Sequence, residues 1–356
     1  MVVETPVVGN TIALPDEVVL MKIDSSLMFE PARVAAMAAD LEAAGFDGAY
    51  TFEGQSDPFI TVAAAAMSTS KMELMTSIAV AFARNPMNLA YLGNDLQNLS
   101  EGRFILGLGA QVKAHIERRF SMPWSKPASR MREMVQAVRA IWDCWQTGEK
   151  LRFEGEFYQH TLMSPVFAPQ PNAYGVPKIF VAGVGPVMTE VAAEVGDGYF
   201  MHPFSTARSM DELSLAAIDR GLAGANKDRA DFQVAAQVIT ATGLDEETMA
   251  AAIASARNQI AFYASTPAYL PVLACHGWEQ LHSDALQMIR QGEWAQLNDL
   301  VDDEILNTFA VVGTPAEVAE KISTRFAGKV QRVSPVVYQP DVSLLATLRR
   351  ELARRI

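Results

Sequence analysis

The chain has 356 residues, half of them hydrophobic, and a formal net charge of −12. That length and apolar content suit one large α/β domain with a sizeable core and exclude a disordered chain. The acidic balance argues against a general nucleic-acid or anionic-membrane surface and toward small-molecule partners.

From the N-terminus, residues 1–19 carry Glu4 and no basic n-region. No uninterrupted apolar stretch of about 18 residues occurs anywhere. We therefore expect neither a leader nor a membrane span, and a cytoplasmic protein. Residues 20–27 read as a strand, 31–45 as a helix with proline in its first turn and glycine after its last, and 46–52 as a second strand. A helix from Pro58, a third strand over 72–82, a helix from Pro86 and a fourth strand over 102–109 follow. Four β-α units in about 100 residues predict a parallel sheet with helical crossovers.

After Gly109 the rhythm stretches. A helix is expected near 111–120, a long amphipathic helix over 128–148 and a hairpin over 150–160, which together make an insertion of about 110–177. Strands five to eight are then expected at 178–183, 198–203, 231–243 and 331–340. Eight strands with intervening helices fit a closed (β/α)8 barrel better than an open sheet. A second insertion, about 265–310, holds three aromatic residues and two histidines over 265–307 and is placed to cover the barrel mouth.

The stretch 177–200, PKIFVAGVGPVMTEVAAEVGDGYF, packs a strand, a glycine turn, a helix and a new strand into 24 positions. A dinucleotide fingerprint fails here. After Gly183-Val184-Gly185 come Pro186, Val187 and Met188 in place of a third small residue, and no acid stands about 20 residues on. Two glycines before a helix that opens on Pro186 still suit a phosphate group, because bare backbone lets N–H groups approach an anion that the helix dipole favours. A tight β-α turn with no ligand explains the same glycines.

Other chemistries are less well served. Cys144 and Cys275 lie far apart without CxxC spacing and read as free thiols of a reducing compartment. The five histidines show no HxxxH or HxH spacing, so no metal is expected, and no GxSxG supports a serine hydrolase.

The set TSIAVAFARNPMNLA with LQNLSEGRFILGLGAQ, FEGEFY, KIFVAGVGP with AAEVGDGYF, and VVGTPAEVAEKI resembles the bacterial luciferase-like superfamily. Within it, the chain is most similar to the branch that uses the deazaflavin coenzyme F420. The resemblance runs in order over about 20–340 and implies one domain over 1–356, a (β/α)8 TIM barrel of the bacterial luciferase-like type with insertions. It further implies a homodimer and a flavin-type ring, F420 or alternatively FMN, at the carboxyl ends of the strands.

Residue by residue, the resemblance places a non-prolyl cis peptide at Ser77-Ile78 and the ring beside Ser77, Ile78, Ala79 and Gly109. It puts the coenzyme phosphate at Gly183, Val184, Gly185 and Pro186, opposite Met201 to Phe204. Glu53, Gln55, Ser56 and Asp57 after the second strand come to the same face, where Glu53 or Asp57 can serve as general acid or base. Asp57 fits equally well as the cap of the helix starting at Pro58. The histidine that many F420 oxidoreductases carry in this turn is missing, as is the glutamate of some relatives after GLGAQV. His202 is then the best remaining proton donor or ring neighbour, or else a packed structural histidine. Lys113, His115, Arg118 and Arg119, or Arg84, can meet an acidic coenzyme tail.

Hydride transfer between F420 and a small, apolar organic substrate is the leading expectation, since seventeen methionines suit an adaptable pocket. An FMN-dependent monooxygenase is the alternative in the same fold, and a non-catalytic flavin-binding protein the alternative of another class.

Overall fold

A computed structural model describes residues 21–27, 30–338 and 341–356. The N-terminal residues 1–20, on which the absence of a leader was expected, lie outside the described residues, as does the end of the eighth expected strand at 339–340.

Eight parallel strands close on themselves: β1 Lys22–Ser26, β2 Gly48–Thr51, β3 Glu73–Thr76, β4 Phe104–Gly109, β5 Lys178–Gly183, β6 Gly198–Met201, β7 Gln233–Ala241 and β8 Arg332–Val336. Each pairs with the next, and β8 returns to β1 through Lys22 opposite Arg332 and Ile23 opposite Val333. The expected barrel is therefore present. Its interior is filled by Tyr50, Met75, Ile105, Phe180, Phe200 and Ala235, one residue from each of six strands. It is a packed core and not a channel.

The helices form the outer ring in chain order, beginning with α1 Pro31–Ala43, α2 Pro58–Ala66 and α3 Pro86–Leu99. The short α4 Lys113–Arg118 precedes α5 Pro127–Thr147, which packs between α3 and α6 Pro186–Val195. This long helix within 110–177 thus takes the ring position between the fourth and fifth strands, closed by Gly148 in the left-handed conformation at φ 74°. The hairpin Phe153–Glu154 with Gln159–His160 is clamped to α5. Glu133 accepts from the amides of Glu156, Phe157 and Tyr158 at 2.9, 2.7 and 2.6 Å.

Residues 265–310 build their own core against the carboxyl ends of β6 and β7. Leu273, Leu297, Leu306 and Phe309 pack with Phe204, Ile239 and Ala241 at the barrel and with Ile260 of the helix before the segment. The segment is held by apolar contacts and is not a loose loop. Among the described residues no helix is long and apolar enough to cross a membrane.

At the opposite, amino-terminal end of the barrel, Arg332 is fully buried. Its guanidinium forks onto Asp24 at 2.7 and 2.8 Å and also pairs with Glu73, which Lys22 meets at 2.7 Å. A Cβ on Gly48 would lie 2.4 Å from both Arg332 and Asp24, so β2 must be bare where this pair crosses it. Burial works against these charges, and the two carboxylates nevertheless hold the guanidinium protonated.

Candidate functional site

The third strand departs from the uniform run expected over 72–82. Thr76 Oγ1 accepts from the Gly107 amide and donates to the Gly107 carbonyl, each at 2.8 Å, so a side chain replaces the backbone ladder at this point. The Ser77–Ile78 peptide is cis, as the resemblance implied. Pairing with β4 resumes at Ala79 opposite Leu108 and Val80 opposite Gly109, and Ala81–Ala83 then turns out of the sheet. Gly107 and Gly109 are glycines for steric reasons. A Cβ on Gly107 would sit 1.7 Å from the Thr76 carbonyl, and one on Gly109 would sit 2.7 Å from the Ile78 side chain. Ser77 Oγ accepts from Gln237 Nε2 at 2.8 Å, which ties the bulge to β7 across the barrel top.

Glu53 and Asp57, placed together here as expected, are engaged by one cation. Arg84 Nη1 pairs with Glu53 Oε2 at 2.6 Å and Nη2 with Asp57 Oδ2 at 2.7 Å. Glu53 Oε2 also accepts from the Val80 amide at 2.7 Å, and Asp57 Oδ1 caps α2 through the Phe59 amide at 2.9 Å. Both carboxylates therefore hold the bulged segment and the helix start in place. Asp57 engages both of its oxygens and Glu53 its Oε2, and Arg84, 14 % exposed, is held between the two carboxylates and turned away from a coenzyme tail.

Of the basic residues after β4, Arg119 donates to the Gly54 carbonyl at 2.8 Å and stacks on Phe120, while Lys113 faces Glu117 at 3.8 Å. His115 and Arg118 are exposed on α4 beside a shallow hollow of about 260 Å³. A larger hollow, about 520 Å³, lies on one face of the helix Glu279–Gln291. Each is lined by a single short stretch, unlike a ligand cleft, which gathers groups from several elements.

The glycine turn is more informative. The Gly183 carbonyl accepts from Tyr199 Oη at 2.6 Å and the Gly185 carbonyl from Thr189 Oγ1 at 3.1 Å, so the carbonyls point into the protein. The amides of Gly185 and Val187, at the start of α6, meet no acceptor among the described residues. The two glycines have different reasons to be bare. A Cβ on Gly183 would press on Met188 at 2.9 Å, whereas one on Gly185 would meet nothing within 4 Å, at an ordinary φ of −88°. Packing explains Gly183 and leaves Gly185 unexplained.

His202 follows β6 and meets the second insertion. Its Nδ1 accepts from the Phe204 amide at 3.0 Å, and its Nε2 lies 3.1 Å from Tyr269 Oη. The Tyr263 and Tyr269 rings pack on it with centroids 4.8 and 4.6 Å away. This enclosure strips water from the imidazole and pushes its pKa down to about 3. The ring is neutral near pH 7, so as a proton carrier there it is poorly suited.

The depressed value makes a stability prediction. Below about pH 6.5 the unfolded chain protonates His202 while the folded chain refuses the proton, so the contribution is complete above that pH and drains away toward pH 3. Between pH 6.5 and 5, wild type should lose about 2 kcal/mol relative to His202→Phe, measured by urea midpoints at both pH values. Parallel losses in the two proteins would contradict the enclosure.

Sequence reasoning passed over Gln237, Tyr263 and Tyr269. A signal existed for the first, a lone amide in the apolar run VAAQVIT. For the tyrosines nothing local marks which strand end they reach.

The family model for luciferase-like monooxygenases matches residues 12–332. The chain belongs to the luciferase-like monooxygenase family. Within it, the chain is 51% identical over 316 residues to a Mycobacterium tuberculosis protein described only as uncharacterized, covering 89% of this chain and 93% of that one. It is 30% identical over 289 residues to the 5,10-methylenetetrahydromethanopterin reductase of Archaeoglobus fulgidus, covering 78% and 80%. In fold it is similar to the coenzyme F420 dependent tetrahydromethanopterin reductase of Methanopyrus kandleri, with a TM-score of 0.79 at 21% identity over 94% of this chain and 99% of that one. A shared barrel does not fix the chemistry, which must be argued from this chain's own mouth.

Proposed function

We propose that this chain is an F420-dependent oxidoreductase that passes a hydride between the deazaflavin and a small, neutral organic substrate. The observation that carries the reading is Gly185. A Cβ there would enter open space, the neighbouring carbonyls are turned inward, and the amides of Gly185 and Val187 meet no acceptor among the described residues. A phosphate-bearing coenzyme fits that cradle, and relatives named as F420 and methanopterin reductases support the same choice. Gly183, Val184, Gly185 and Pro186 would hold the phosphate, with Ser77, Ile78, Ala79 and Gly109 against the ring. When bound, the deazaflavin supplies the hydride chemistry.

The protein's own residues do the rest. Gln237 fixes Ser77, Glu53 and Arg84 fix the segment after Ile78, and the aromatic residues Phe204, Tyr263 and Phe309 keep water from the mouth. The test is anaerobic. Reduced F420 mixed with a panel of small ketones and imines under nitrogen should be oxidised, seen as return of the deazaflavin's visible absorbance. Turnover that requires oxygen would move the protein to FMN-type monooxygenation, and tight coenzyme binding without hydride exchange for any substrate would favour a binding protein.

A further inference from the structure

Hydrogen-bond direction around His202 can be assigned from the backbone. The Phe204 amide has one proton and gives it to Nδ1 at 3.0 Å, so the neutral imidazole carries its own proton on Nε2. Nε2 must then donate to Tyr269 Oη, 3.1 Å away. Having accepted that bond, the Tyr269 hydroxyl keeps its own proton, which meets no acceptor among the described residues. In the same cluster Tyr338 Oη is buried against the Tyr263 hydroxyl. Buried phenols normally find partners.

The geometry points to Tyr269 as the hydrogen-bond donor to the substrate, which carries a neutral acceptor of the carbonyl class, with His202 as the positioning residue that sets the direction of that donor. The inference rests on the oxidoreductase reading above and gives its substrate a recognisable group. Neutrality follows from the surroundings. The side chains packed on His202 and Tyr269 among the described residues are the uncharged rings of Tyr263 and Phe204, with Phe309 behind Phe204, so a carboxylate would find no counter-charge in this wall. Enclosure raises the Tyr269 pKa, so the phenol polarises the acceptor without surrendering its proton.

Two measurements on the full chain test this. In F420-loaded protein, cyclohexanone should bind about tenfold more tightly than its hydrocarbon isostere methylenecyclohexane, read by ligand-observed saturation transfer. Tyr269→Phe should bring that ratio close to one with F420 affinity unchanged. Equal binding of the two probes to wild type, or a preference that survives in Tyr269→Phe, would overturn the proposal. In coenzyme-free protein, histidine-labelled nitrogen NMR should find His202 protonated on Nε2 alone at pH 7. A proton on Nδ1 would overturn it as well. Failure of wild type to bind F420 would sink the coenzyme reading and leave the tautomer to decide this one.

Discussion

Gly185→Asp should weaken F420 binding by at least about 100-fold, roughly 2.7 kcal/mol, in a direct fluorescence titration. The substitution puts a carboxylate where the phosphate would lie, in competition for the same amides and the same positive helix end. The fold offers no resistance to it, because the Cβ would enter open space and φ is −88°. Gly185 is also the cap residue of α6, where aspartate is favoured over glycine by a few tenths of a kcal/mol. Coenzyme-free stability should therefore hold or rise slightly while affinity collapses, a pairing that a destabilised variant cannot imitate. Unchanged affinity would remove the turn from the coenzyme site.

Arg332→Met should cost about 3–5 kcal/mol of stability, read as a fall in the urea midpoint. The loss comes from leaving Asp24, 3 % exposed, without the partner that holds both of its oxygens. Replacing the pair together, Asp24→Leu with Arg332→Met, should cost less than Arg332→Met alone, since no charge is then stranded. These residues lie at the amino-terminal end of the barrel, away from the mouth, so coenzyme affinity of folded protein should not change. A loss below about 1 kcal/mol for Arg332→Met would show that the buried carboxylate is otherwise satisfied.

What could be read in the sequence was local. The alternation of apolar runs with amphipathic segments predicts the eight strands, and Pro186 after Gly185 predicts the start of α6. Asp57 before Pro58 predicts a cap that the structure forms. What could not be read is pairing across long separations. Arg84 meets Glu53 31 residues away, His202 meets Tyr269 67 away, and Asp24 meets Arg332 308 away. Nothing in the residues around Glu53 reveals that a later arginine will claim it. The break in the third strand hides for the same reason. TSIAV has the composition of a buried strand, and the exchange of hydrogen bonds between Thr76 and Gly107 that interrupts its ladder is again a pairing across a long separation.

The claim that this mouth holds a deazaflavin is tested most directly by titrating wild-type protein with F420 and, separately, with FMN, following coenzyme fluorescence and thermal unfolding. The account predicts micromolar or tighter binding of F420 with little response to FMN, and stabilisation of about 2.7 kcal/mol once F420 exceeds its Kd by 100-fold. Preference for FMN, or no stabilisation by either, would contradict it.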